Sequence, residues 1–362
     1  MKKRVGALVL VVAASAAATG LVASTSSGAP RAQRTIGLVL PGPNPTTRYL
    51  DDGAESAAAR LGDHLAITLA DGLRTTSVGA IKSLIAQHAA AIAVGQGAQI
   101  PDEQVLSALA EARRAGIQVL SFEGRVSGSL WVSDSGSAQF VRALADALAA
   151  QMKQRGQFVI VSCRARTTAA LSPAVLGAWV KQTTEYVQRR YPRMQRVGIV
   201  YGPSSGSLQL GPVLTSHPHV RGLDFLCPND ALNDPPQLVR AHKVGKVFSA
   251  GNGGACPPFD LSGDPNSTYQ NSVRHGALEV VCLRNPSKLA YLTVWAADYL
   301  ARGHTLTARR YAVGGPVGTV GFDRRHDELR LGQPLTITKT NVDRYAPGSV
   351  KGHPRHLPAE EK

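Results

Sequence analysis

AAAIAVGQGAQIPDEQVLSALAEARRAGIQVLSFEGR, residues 89–125, holds one full period of the pattern that decides the fold. Residues 90–95 form an apolar run too short for a helix and read as a buried strand that ends in a GlyGlnGly loop. Pro101 then opens a helix whose Val105, Leu109 and Ala112 are spaced for packing, and Gly116 closes it. The next apolar run is a second strand, which delivers Phe122, Glu123 and Arg125 to a turn. Two short apolar strands with a helix between them imply parallel pairing, because the helix carries the chain back to the same end of the sheet.

The same period extends in both directions. Toward the N-terminus, TIGLVL (35–40) and LAITLA (65–70) read as strands. The helix after the first runs to Leu61 and stops at Gly62; the helix after the second, Thr76 to His88, lines up Val78, Ile81, Leu84 and Ile85. Toward the C-terminus the alternation restarts with a helix from Ser137 to Lys153 and the strand FVIV (158–161). A helix from Pro173 to Arg190 follows, then the strands VGIVY (197–201), LDFL (223–226), VFSA (247–250) and LEVVCL (278–283). Asn285 caps a last long helix with Pro286 at its first position and Gly303 beyond its end. The expectation is an α/β chain of two doubly wound parallel-sheet lobes joined by hinge crossovers. Lobe 1 is expected over 35–124 and 256–302, and lobe 2 over 125–255 and 303–346.

The termini read differently. MKKR, an apolar run from Val5 to Ala23 and the small residues ValAlaSer at 22–24 have the order of an export signal, expected over 1–24 with a linker over 25–34. An uncleaved membrane anchor is the alternative. No cysteine precedes Cys163, so thioether lipid attachment is excluded and a secreted or cell-envelope location is expected. Residues 347–362 are polar and proline-containing, as in a disordered tail.

Net charge is +15, yet the basic residues fall in scattered pairs and aromatic residues make up 5%, which argues against a nucleic-acid partner and for a solvated basic surface. Four cysteines separated by 63, 28 and 25 residues do not have zinc-site spacing; one bridge and buried free thiols both remain open. HisProHis (217–219) is too short for a metal site, the glycine-rich loops lack a full dinucleotide or phosphate-loop motif, and no nucleophile stands at a spacing that suggests a partner histidine. No cofactor, no metal and no enzymatic activity are expected.

Ligands of open parallel sheets sit beyond the carboxyl ends of the strands. That rule selects Asn44, Gln96, Glu123, Arg125, Asp134, Arg164, Arg166, Asn229, Asn252, Arg284 and Asn285 as candidate ligand-binding residues, with Asp230 beside Asn229 in the same tip loop. Structural duties compete with this role. Glu123 and Arg125 can pair with each other, Asp134 can cap the following helix, Arg164 and Arg166 can be solvated, and Asn285 is a cap.

Several stretches in order carry a resemblance to a known family: SLIAQHAAAIAV (83–94), ARRAGIQVLSF (112–122), AWVKQTTEYVQRRYP (178–192), LTSHPHVRG (214–222) and NPSKLAYLTVWAADYL (285–300). Together they resemble the type I periplasmic solute-binding proteins of ABC importers, in the branch that binds rhamnose and autoinducer-2. The resemblance implies a monomeric receptor that captures a small solute and presents it to a permease. Departures accompany it. The Asp-x-Asp that the family places after its crossover strand is Glu123-Gly124-Arg125 here, Val175-Leu176 replaces a polar pair, and Arg284-Asn285 replaces an aromatic and polar pair. Arg125, Arg164, Arg166 and Arg284 match carboxylate oxygens, so a sugar acid joins neutral sugars as an expected ligand, with Asn229, Asn252 and Asn285 reading hydroxyls. The alternative is an exported sensor with an eroded sugar site that signals through a membrane partner.

Overall fold

The computed structural model describes residues 33–41, 45–70, 74–95, 103–134, 136–163, 173–202, 208–252, 268–278, 280–283 and 285–345. The expected signal segment, the expected tail and the candidates Asn44, Gln96, Arg164, Arg166 and Arg284 lie outside these residues. Everything described belongs to one compact unit, Gln33–Lys362.

The first sheet starts with β1 (Thr35–Pro41), β2 (His64–Ala70), β3 (Ala91–Gly95), β4 (Gln118–Phe122) and β5 (Leu130–Ser133), linked by α1 (Pro45–Leu61), α2 (Arg74–Ala86) and α3 (Glu103–Arg114). Neighbouring strands among these five are parallel. Their side chains alternate between two cores. Ile36, Leu38, Leu40, Leu120 and Phe122 face α1, while Val39, Ile92, Val94 and Val119 pack with α2 and α3 residues such as Ile81, Leu84 and Leu109. A strand buried on both faces must be apolar at every position, which is why these runs are continuous rather than alternating.

The chain then leaves this sheet. After β5, α4 (Gly136–Gln151) packs on the second sheet, built from β6 (Gly156–Cys163), β7 (Met194–Gly202), β8 (Val220–Phe225), β9 (Phe248–Asn252) and β10 (Val280–Leu283). Its helices are α5 (Pro173–Arg190), α6 (Leu210–Ser216), α7 (Pro228–Asn233), α8 (Pro236–Arg240) and α9 (Thr268–Arg274). α4 and α5 cover one face through Phe140, Leu144, Leu148 and Val187, and the opposite core holds Val159, Val161, Leu223 and Phe225. Cys227, just past β8, is in a disulfide, so of the two open alternatives for the cysteines a bridge is the one present.

After β10 the chain returns to the first sheet with α10 (Pro286–Ala301), which is buried along nearly its whole length against α1 and the strands. Gly53 of α1 makes that approach possible, because a Cβ there would collide with the backbone carbonyl of Ser287. Three more strands, β11 (Arg310–Gly314), β12 (Gly318–Asp323) and β13 (Glu328–Arg330), extend the same sheet, and β14 (Leu335–Thr338) crosses back to pair antiparallel with β10. A 3-10 turn over Val342–Tyr345 follows. The sheet orders are β11-β12-β13-β5-β4-β3-β1-β2 and β14-β10-β9-β8-β6-β7.

This arrangement corrects the expected lobe boundaries. The first crossing follows Ser133 rather than Gly124, because LWVS (130–133) adds a fifth parallel strand beside β4. Residues 310–330 belong to the first sheet and β10 to the second, the reverse of the expected division. Among the described residues the chain passes between the sheets three times: between Ser133 and α4, between Leu283 and α10, and between Arg330 and Leu335. The first and third crossings run side by side: the Leu331 amide donates to the Ser133 carbonyl at 2.9 Å and the Gly332 amide to the Asp134 carbonyl at 3.0 Å.

Candidate functional site

The carboxyl tips of the first sheet present the turn after β4. The Gly124 amide donates to the Phe122 carbonyl at 2.6 Å, which closes a γ-turn with Glu123 at φ 59°. A non-glycine residue held there stores strain of roughly 1–3 kcal/mol, and such strain concentrates at functional positions. The rest of the loop is pinned from below. The buried Ser121 hydroxyl accepts the Val126 amide at 3.1 Å and the Ser129 hydroxyl at 2.9 Å, and Ser129 also donates to the Val126 carbonyl. Glu123 is half-buried on this platform, whereas Arg125 points to solvent.

Asp134 sits in the first crossing, half-buried, with its carbonyl engaged by Gly332. On its sheet side the crossing is anchored by charge. Buried Glu328 accepts the Ser133 hydroxyl at 2.7 Å and the Arg330 Nε at 2.8 Å, and Arg330 Nη2 reaches on to Asp323 at 2.7 Å. Asp323, drawn upon by His326, by the Arg325 amide and by Arg330, is held down at about 2.

At the tips of the second sheet, Asn252 ends β9 and is buried; its Nδ2 donates to the Leu226 carbonyl at 2.8 Å, tying that tip to the turn before α7. Asn229 lies in the first turn of α7. Asn285 does what its capping pattern demands: its Oδ1 accepts the Lys288 amide at 2.9 Å at the start of α10, immediately after the second crossing.

The tip that carries Asn229 also carries Asp230. Asp230, one position beyond Asn229, is 2% exposed and packs its carboxylate against Gly202 at the end of β7, where a Cβ would collide with both oxygens. Its Oδ2 has no hydrogen-bond partner. Burial first, and then the charge of Asp234, push its pKa up to about 7. In sequence, an Asp three places into a helix behind Pro228 looks like an ordinary acid at a helix start. Only the glycine of a neighbouring strand, 28 residues earlier, shows that room was left for it. On the first sheet Asp51 is similar: its Oδ1 is buried without a partner, and burial with Glu55 and Asp52 nearby raises it to about 6.

The tips therefore carry carboxylates able to accept hydroxyl hydrogens, on elements whose backbone is fixed by strain and buried hydrogen bonds. Among the described residues, no group of three or more His, Cys, Asp or Glu side chains is arranged to hold a metal ion, and no helix is long and apolar enough to cross a membrane.

Comparison with known proteins places these features. A family model described as periplasmic binding protein domain matches residues 36–305. Among solved structures, a sugar ABC transporter protein from Actinomyces odontolyticus superposes with a TM-score of 0.72 at 20% identity, covering 86% of this chain and 97% of that one. An arabinose-binding protein from Geobacillus stearothermophilus gives 0.64 at 18% identity, covering 87% and 100%. A solute-binding protein from Clostridium phytofermentans with bound L-rhamnose gives 0.60 at 21% identity, covering 86% and 98%. At these identities the likeness is one of fold. No curated protein matches the chain in sequence.

Proposed function

The chain belongs to the periplasmic binding protein domain family, a family of transport binding proteins with the type I fold found here, and on that premise we propose that it is an exported receptor that traps a small polyhydroxylated solute. The solute class is a sugar or sugar acid, held between the carboxyl tips of the two sheets and passed, without chemistry on it, to an ABC permease. Asp230 carries this reading. A buried carboxylate with an open oxygen at a strand tip costs stability unless a donor-rich partner completes it, and a sugar hydroxyl is such a partner. Asn252 and the strained Glu123 turn supply further polar groups at the tips, and Arg125, Arg164, Arg166 and Arg284 are the candidates for a sugar-acid carboxylate. Sugars named with the similar structures, arabinose and L-rhamnose among them, are the first compounds to try.

The test is a thermal-shift screen of neutral sugars and sugar acids, followed by titration calorimetry. A ligand that binds only the folded state raises the melting temperature by mass action, and Asp230→Ala removes that rise. If no sugar or sugar acid shifts the melt while another solute class does, the solute assignment is wrong. If a sugar binds and Asp230→Ala binds it equally well, Asp230 is not part of the site.

A further inference from the structure

The charge that looks scattered along the sequence is collected by the fold. Sheet register brings together the starts of four strands: Gly156 lies opposite Met194, Gln157 opposite Val220, and Gly222 opposite Phe248. The segments leading into those strands are MKQRGQF (152–158), QRRYPRMQRVG (188–198), SHPHVRG (216–222) and RAHKVGK (240–246). Between them they contain ten lysines and arginines, three histidines and no Asp or Glu. All ten cations are exposed.

Ordinary duties account for few of these charges. Arg189, Arg190 and Arg240 end helices, where a cation offsets the dipole. Arg193, Arg196, Arg221, Lys243 and Lys246 stand on strands and turns that make no such demand. None of the ten forms an ion pair with a described carboxylate. Glu185 pairs with Lys181, and Asp146, at the rim, is taken up by the hydroxyls of Tyr186 and Tyr191 at 2.7 Å each. Uncompensated charge of one sign across an edge roughly 15 Å wide creates a field that recruits an anionic partner.

Two apolar side chains identify that partner. Val239 and Val244 are 45% and 36% exposed and flank Arg240 and Lys243 on the segment before β9. Cations interleaved with exposed apolar groups suit a surface that is charged outside and greasy just beneath. We propose that this amino-terminal edge of the second sheet is a docking surface for a bilayer rich in anionic lipid headgroups. The strand tips of that sheet lie at the other end of the strands, roughly 26 Å away along the eight residues of β6, so a protein held here keeps those tips off the membrane.

The chain from Gln33, which contains both sheets, is tested by co-sedimentation with vesicles of phosphatidylcholine alone or mixed with phosphatidylglycerol. Binding is expected to the mixed vesicles only and to fade as salt is raised. At about 1 kcal/mol for each cation near the surface, the variant Arg193→Glu/Arg196→Glu/Lys243→Glu is expected to lose affinity on the order of a hundredfold. The control Arg310→Glu/Arg324→Glu/Arg325→Glu, with the same net change on the first sheet, is expected to bind nearly as the parent does. Val239→Ser/Val244→Ser is expected to weaken vesicle binding several-fold and leave binding to soluble polyphosphate unchanged. Equal losses from both triple variants would show that overall charge alone acts. Vesicle binding that ignores the valines and is displaced by polyphosphate would make the partner a soluble polyanion. Either result overturns the proposal, and superimposable circular-dichroism melts certify that the variants fold.

Discussion

Asp230 and Asp224 bring the same group into the second sheet with different consequences. Asp230 lies at a tip, where burial and the charge of Asp234 raise its pKa to about 7, so a solute that meets it there would be sensitive to its proton. A neutral sugar that donates hydroxyls to it needs the carboxylate, so affinity for such a sugar is expected to rise as pH increases through about 7. A sugar acid is repelled by the carboxylate, and its affinity is expected to fall over the same range. Calorimetry at about pH 6 and pH 8 reads the sign, and Asp230→Asn flattens either slope. Asp224 lies mid-strand, fully buried, with both oxygens unpartnered, and burial alone raises it from 3.8 to about 7. Its flanking partners on β6 and β9 are Ile160 and Ala250, and the helices over that face bring Leu144 and Val187, so no charge offsets it. Because the folded pKa is the higher one, the folded state holds the proton more tightly, and stability is lost as pH rises from about 4 to about 7. Asp224→Val is therefore expected to stabilise the protein by about 4 kcal/mol at pH 8 and by no more than about 1–2 kcal/mol at pH 4, measured by urea denaturation.

At the scale of elements, the crossings between the sheets rest on single local contacts. α10 starts at the residue after Asn285, so its cap determines where the chain turns back onto the first sheet. Asn285→Ala removes the bond to the Lys288 amide and is expected to cost about 1 kcal/mol in thermal denaturation. In the third crossing Gly332 has φ 124°, and nothing lies within 4 Å of a Cβ placed there. Gly332→Ala thus meets no steric clash and changes backbone torsion alone, at about 1–3 kcal/mol. If the paired crossings act as the hinge, the same variant changes solute affinity although it touches no tip residue; unchanged affinity would assign the flexing elsewhere. Helices and apolar strands were readable because their periods are local: Pro173–Arg190 was expected to the residue, and α10 to within one residue at its end. β11 and β12 were missed because RYAVG and GTVGFD have no long apolar run and lie at the half-exposed margin of the sheet, and β5 because its apolar run, Leu130–Val132, is only three residues long.

At the scale of the whole molecule, closure of two sheets about their short crossings is the motion that the proposed function calls for. Binding of a sugar between the tips is expected to lower the radius of gyration measured by small-angle X-ray scattering. A ligand that binds tightly and leaves the radius unchanged would remove closure from the mechanism. The charge distribution belongs to this scale too. Carboxylates such as Asp51, Glu123 and Asp230 lie toward the strand tips, while unpaired cations collect at the opposite edge of the second sheet, so a net charge of +15 coexists with carboxylates at the tips.

Local periodicity by itself determined the alternation of strand and helix, the double burial of the parallel strands and the start of the last long helix, because apolar spacing and capping act over a few residues. Contact between distant segments decided the rest. Sheet membership of β5, β10 and β11–β13, the glycine that makes room for Asp230, and the gathering of ten cations on one edge all depend on register between strands far apart in the chain. Register is settled only when whole sheets pack.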